Sequence, residues 1–246
     1  MRCNIVPLTR RILVGSGRFC NVLSGTFSTS VSNSVFIDSW SSNAAYDQSN
    51  CPVCRDIEMF QDAIDETEHA TLVRECTEAL KRRRYEDGHW DGVIHKFREV
   101  TKRTWSGPAM NALKRIKGMS RVITESDAQF LPPHVLDLAE NGFIKPHVDS
   151  LIASGEIVAG LSLLSPSIMR LTPKKDSEKG TADRRSAYPD VVLLQLRPRS
   201  FYVLSGKARY EYAHEILPGP VVWRGGEVSE RERRISIILR DALPPP

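Results

Sequence analysis

The chain has 246 residues, 41% of them hydrophobic and 26% charged, a balance that supports a folded core and excludes a disordered or fibrous chain. It contains no uninterrupted apolar run of about 18 residues, the length of a membrane-crossing helix. Its five cysteines (Cys3, Cys20, Cys51, Cys54 and Cys76) all lie before residue 77, which argues against a disulfide-stapled scaffold.

The formal charge of +4 comes from the opening stretch, where four arginines and no acid precede Asp38; the remainder carries 30 basic and 30 acidic residues. A domain that binds nucleic acid through its phosphates would keep a basic excess there. Residues 1–37 are Arg- and Ser-rich, and Ile5, Leu8 and Ile12 recur at helical spacing beside the arginines. That pattern predicts a mitochondrial transit peptide, hence the matrix, with a disordered basic tail as the alternative. Residues 38–56 are polar and aperiodic and read as a linker. Cys51 and Cys54 within it form half of a zinc site, yet no second pair follows at a suitable spacing; two incidental thiols is the plainer reading.

Ala70, Leu72, Val73, Cys76, Ala79 and Leu80 form a stripe that predicts a helix from Glu66 to Arg84. Its basic end, Lys81 to Arg84, complements the carbonyl end of the helix dipole or else meets a phosphate or an acidic partner. Trp90 to Phe97 reads as a packed segment and Trp105 to Met119 as a second helix. From Pro133 the texture changes to short strands: Val135–Leu138, Phe143–Val148, Ile157–Leu164, Ile168–Leu171, Val191–Leu196, Phe201–Leu204 and Ile235–Leu239. Asn141-Gly142 predicts a hairpin between the first two, and the charged stretch from Thr172 to Tyr188 a surface loop. The class is therefore α+β, with N-terminal helices supporting an antiparallel sandwich or barrel.

Chemistry concentrates in Lys145-Pro146-His147-Val148-Asp149. On a strand, His147 and Asp149 share a face and supply two-thirds of a two-histidine, one-carboxylate metal site. His214 is the sole histidine downstream and so the candidate third ligand; His69, His89, His95 and His134 read as structural or surface residues. Further on, alternation places Arg234, Ser236, Ile238 and Arg240 on one face of a strand and Ile235, Ile237 and Leu239 on the other. If the apolar face enters the core, the arginines point either to solvent or into a barrel mouth. There a guanidinium fork suits a carboxylate.

With the segments RRRYEDGHWDGVIHKFRE, HVLDLAENGFIKPHVDS, AGLSLLSPSIMRL and ARYEYAHEI, these residues resemble the AlkB family of Fe(II)/2-oxoglutarate-dependent dioxygenases, most of all its mitochondrial member, from about Ile57 to Arg240. The resemblance implies a double-stranded β-helix (jelly roll) over residues 57–246. It implies Fe(II) held by His147, Asp149 and His214, with 2-oxoglutarate and dioxygen as co-substrates. It also implies a 2-oxoglutarate pocket of Tyr202, Arg234, Ser236 and Arg240. Nucleic-acid demethylases of the family commonly read RxNxTxR, whereas this chain has Ser236 and Ile238 at the two central positions. That departure and the neutral charge favour a protein substrate to be hydroxylated. Oxidative demethylation of N-methylated mitochondrial RNA is the alternative, and a non-catalytic interaction scaffold a third. Roles in alkylation-induced programmed necrosis and fatty-acid metabolism are further implications of the resemblance.

Overall fold

A computed structural model describes residues 35–39, 51–174, 189–223 and 228–243 of the chain. The candidate leader up to residue 34 and most of the charged loop before Tyr188 lie outside the described residues.

Thirteen strands and four helices are described. In chain order they begin with β1 (Val35–Ser39), β2 (Ile57–Phe60), α1 (Glu66–Leu80), β3 (Glu86–Gly88) and β4 (Ile94–Thr101). Next come α2 (Gly107–Lys117), α3 (Arg121–Thr124), β5 (His134–His147), β6 (Val158–Leu164), β7 (Ser167–Pro173) and β8 (Val191–Leu196). The chain closes with β9 (Phe201–Leu204), α4 (Gly206–Tyr210), β10 (Tyr212–Ile216), β11 (Val221–Val222), β12 (Val228–Ser229) and β13 (Arg234–Arg240).

Asp65 starts α1: its carboxylate accepts the Glu68 N–H at 2.8 Å, and Glu68 reciprocates on the Asp65 N–H at 3.0 Å, a capping box. The helix stops at Leu80, four residues short of the sequence expectation. The cation that meets its last carbonyls is Arg98 of β4, which donates to Leu80 O and Arg83 O, while Lys81 to Arg84 stay exposed. Ser106 caps α2, followed by Pro108 in the first turn.

The main path of the sheet runs β1-β8-β7-β10-β5-β13-β6-β9-β2, antiparallel in the pairings described here. β5 is the strand on which it turns. Its first half pairs with β13 and its second half with β10, so one strand belongs to both sides of a curled sheet. The hairpin expected at Asn141-Gly142 is absent. His95 of β4 faces Phe143 and Phe97 faces Leu138, so a step of two residues on β4 spans five on β5, and Asn141-Gly142 is absorbed as a bulge. Gly142 suits that position because the backbone of β4 crosses it closely: an added Cβ would lie 2.6 Å from Lys96 O and 3.0 Å from His95 O. Arg231, itself buried, donates to Gly142 O and Leu217 O and pins the bulge from the far side. A second shift occurs where His147 faces His214 but Ile144 faces Ile216; Pro146, with no N–H to give the ladder, sits in that interval.

Two apolar layers follow from strand alternation. Ile235, Ile237 and Leu239 join Ala159, Leu161, Leu163, Phe201 and Val203 beneath α1 and α2, in contact with Leu72, Cys76, Leu113 and Ile116. The inner layer holds Phe97, Leu136, Leu138, Ile144, Met169, Leu171, Leu194, Tyr202 and Ile216. Residues 51–56 also depart from the linker expectation. Cys51, Val53 and Cys54 are buried in the inner layer, the two cysteines form a disulfide, and a 3-10 turn at Cys54–Asp56 leads into β2. β1 likewise crosses the expected 37/38 boundary, paired with β8.

Gly142→Ala should force β4 from β5 and cost about 1–3 kcal/mol, the usual penalty for overpacking, read as a lower urea midpoint with an unchanged slope.

Candidate metal centre

β5 ends at His147, and β10 sets His214 directly across from it. Such cross-strand neighbours hold their Cβ atoms about 5 Å apart, so the two rings come together without a long reach. Their centroids lie 4.3 Å apart. Asp149 lies two residues beyond His147, just past the end of β5 rather than on the strand, and still reaches the side of the two rings. His147 Nε2 is 3.2 Å and His214 Nε2 3.7 Å from Asp149 Oδ1, and the candidate ligand atoms of the three residues lie within 4.8 Å of one another. Cis positions around a metal with bonds of ~2.1 Å are ~3 Å apart, so these separations suit one ion.

Each ligand is oriented by a second contact. His147 Nδ1 lies 2.9 Å from the Lys145 carbonyl, an acceptor only; Nδ1 therefore carries the proton, and in the neutral ring Nε2 offers a lone pair. Arg240 Nε donates to Asp149 Oδ2 at 2.6 Å, which leaves Oδ1 to face the imidazoles. Burial pushes the Asp149 carboxyl up, but His147, Arg240 and His214 act against it and hold it well below the usual carboxylate range. Burial, reinforced by the neighbouring His147, lowers His214 to about 3, so its ring is neutral at physiological pH. One anionic oxygen and two imidazole nitrogens fit a divalent transition metal such as Fe(II).

The cavity beside these ligands is lined by all the residues that the sequence nominated: Tyr202, Arg234, Ser236 and Arg240 together with His147, Asp149 and His214. Arg234 is 2% exposed, and among the described residues no carboxylate pairs with it; its Nε and the Ser236 hydroxyl are buried without a hydrogen-bond partner. Burial lowers the Arg234 pKa, partly offset by Tyr202. An unpaired buried guanidinium is costly unless a ligand supplies its anion. This donor set fits the far carboxylate of 2-oxoglutarate. Arg240 lines the cavity too, with its Nε committed to Asp149.

Aliphatic side chains that sequence reasoning did not nominate complete the wall: Ile94, Leu136, Ile144, Val158, Met169 and Ile216. Gly160 was also missed. It faces Tyr202 across β6 and β9, and an added Cβ would lie 2.6 Å from the phenol ring, so the absent side chain is what seats Tyr202.

No family model matches the chain. Against curated proteins it is 41% identical over 177 residues to the mouse "Alpha-ketoglutarate-dependent dioxygenase alkB homolog 7, mitochondrial", covering 72% of this chain and 74% of the mouse protein. It is 42% identical over 173 residues to the bovine protein of the same name, covering 70% and 72%. The chain belongs to the AlkB family. It is an Fe(II)/2-oxoglutarate-dependent dioxygenase, and AlkB membership supplies the ion and the dicarboxylate that the donor set fits. Among solved structures, a Pseudomonas putida prolyl-4-hydroxylase aligns with a TM-score of 0.52 at 12% identity, over 77% of this chain and 93% of that one. The epimerase SnoN from nogalamycin biosynthesis aligns at 0.51 and 16% identity, over 77% and 81%. These two likenesses concern the fold, the curled jelly roll of 2-oxoglutarate oxygenases.

Arg234→Met should stabilise the metal- and cosubstrate-free protein by on the order of 1 kcal/mol or more, and so raise its melting point, because an unpaired buried charge is removed. The same variant should lose the rise in melting point that 2-oxoglutarate gives the wild type. Differential scanning fluorimetry with and without the cosubstrate checks both.

Proposed function

We propose that the protein is a mitochondrial-matrix dioxygenase that hydroxylates a side chain of a protein substrate. In this reading His147, Asp149 and His214 hold Fe(II), and Arg234, Tyr202, Ser236 and Arg240 form the 2-oxoglutarate site. The observation that carries it is the convergence of an anionic oxygen and two imidazoles beside a buried guanidinium that has no carboxylate partner. The catalytic domain takes in residues 57–246 together with the packed residues 51–56. The part of residues 1–37 that precedes β1 would be the matrix leader, since Val35 to Ile37 pair with β8; its acid-free, Arg-rich composition supports this, as does the word mitochondrial in the names of the mouse and bovine relatives.

Bound in this site, iron would supply the chemistry by which dioxygen gives one oxygen atom to 2-oxoglutarate, leaving succinate and carbon dioxide, and the other to a substrate C–H bond, leaving an alcohol. The protein's share is placement. Arg234 holds the far carboxylate, with the Tyr202 and Ser236 hydroxyls as further donors. Burial pushes the Tyr202 phenol up, so it stays a neutral donor. Lys145 O fixes the His147 ring, and Arg240 keeps Asp149 ionised and turned. The aliphatic wall of Ile94, Ile144 and Ile216 excludes water from the reacting volume.

A protein partner is supported by what flanks the site. Ile152, three residues after Asp149, is 88% exposed, and Trp90 in the β3–β4 turn is 89% exposed. That turn adjoins the ligand segment, since Lys145 N donates to Val93 O at 2.9 Å. Exposed apolar side chains beside a site suit an apolar protein surface better than a phosphate backbone. The balanced charge after the leader points the same way. Such a protein substrate would be the route to the necrosis and fatty-acid roles that the resemblance implies.

His147→Ala and Asp149→Ala should each reduce succinate formation to background and lose metal in a titration. Mass spectrometry of proteins captured from mitochondrial extract should show the gain of one oxygen atom. Formaldehyde released from methylated mitochondrial RNA would replace this reading with demethylation, and full cellular function of the iron-site variants would replace it with scaffolding.

A further inference from the structure

On the α4 side of the metal site the chain buries a second cation that the cosubstrate does not explain. Arg209 is 1% exposed, does not line the cavity, and pairs with no carboxylate among the described residues. Its Nη atoms go to backbone and hydroxyl acceptors instead, while its Nε has no hydrogen-bond partner and the guanidinium lies 5.1 Å from the Tyr210 ring centroid. Nη1 donates to Asp149 O at 2.9 Å; Nη2 donates to Ser154 Oγ at 3.1 Å and, more weakly, to Ser150 O at 3.4 Å. Ser154 Oγ in turn donates to Ser150 O at 3.1 Å and closes the turn that follows Asp149.

The position of these acceptors gives the contacts a purpose. The β5 ladder ends at His147, so Asp149 supplies a candidate ligand from backbone that no neighbouring strand holds. Arg240 secures its carboxylate, and Arg209 secures its carbonyl. Arg209 itself is fixed from behind. α4 begins where Asp56 accepts the Lys207 N–H at 2.7 Å and Asp56 O accepts the Ser205 N–H at 3.0 Å, and α4 runs within five residues into His214. One side chain therefore ties the element that delivers His214 to the backbone that delivers Asp149.

We propose that Arg209 is a positioning residue of the metal centre: it holds the Asp149–Ser154 backbone against α4 so that the carboxylate and His214 keep the separation one metal ion requires. The proposal rests on the reading that His147, Asp149 and His214 bind the metal. Groups that orient ligands in this way typically change metal affinity about 10–100-fold when removed.

The test is an anaerobic titration of the purified, metal-free full chain with Co(II), followed by its visible absorption, alongside melting curves of the same metal-free samples. Arg209→Met should weaken cobalt binding of the folded protein about 10–100-fold and alter the absorption intensity, and Arg209→Lys should recover part of the loss. Should Arg209→Met fail to fold, Arg209→Lys and Ser154→Ala decide, each expected to bind more weakly than the wild type while melting close to it. The proposal is overturned if the folded variants bind cobalt as tightly as the wild type, or if weaker binding only follows loss of folded protein. His147→Ala separates the two readings. If it binds cobalt like the wild type, the metal assignment itself fails; if it does not bind while the Arg209 variants bind normally, the Arg209 proposal alone fails.

Discussion

The shared strand β5 is the constraint on which the site depends. Because its first half is laced to β13 and its second half to β10, the strand bearing Arg234 and the strand bearing His214 lie on the same curled surface. The bulge at Asn141-Gly142 makes the turn between the two halves, and it is held by the close crossing of β4 and by Arg231. One backbone irregularity thus brings the strands of His147, His214 and Arg234 together, while Asp149 joins them from the loop that follows β5. The helices contribute indirectly: α1 and α2 cover the outer face of β6, β9 and β13 and leave the opposite face free to line the cavity.

The electrostatics of the interior follow a consistent division of labour. Arg240 meets a carboxylate of the chain, Arg209 and Arg231 meet backbone carbonyls, and Arg234 is left without an anion among the described residues. Fully buried guanidinium groups are rare unless paired. Among these arginines of the described residues, the one with neither a carboxylate nor a carbonyl acceptor, Arg234, lines the cavity, so packing and family membership both support the dicarboxylate reading.

Much of this site was legible in the sequence because its signals are local. The alternation from Arg234 to Arg240 needs only the two-residue period of a strand, and the spacing of His147 and Asp149 is equally local, although Asp149 lies just past the end of β5. What could not be read depends on contacts between distant segments. Asn141-Gly142 is a turn signal taken alone, and only the carbonyls of Lys96 and His95 show that glycine serves a close crossing instead. Arg209 carries no signal of its own in the sequence because its acceptors lie about 60 positions earlier in the chain. The end of α1 was misplaced because Arg98, from another element, supplies the cation that the local run seemed to supply. Residues 51–56 were taken for a linker because three buried side chains, Cys51, Val53 and Cys54, are too few to produce a pattern within polar surroundings.

That last segment carries a consequence for what holds it in place. The ring closed by Cys51 and Cys54 spans only four positions, and a loop so short removes about 2 kcal/mol of unfolded-chain entropy by the loop-closure relation. Sinking Val53 and Ile57 into the inner layer contributes about 1.5–3 kcal/mol apiece, so aliphatic burial outweighs the covalent staple. The strand edge formed by β2 is therefore insulated from the thiol chemistry of its surroundings. Opening the bridge would thus weaken this segment less than stripping it of both aliphatic side chains.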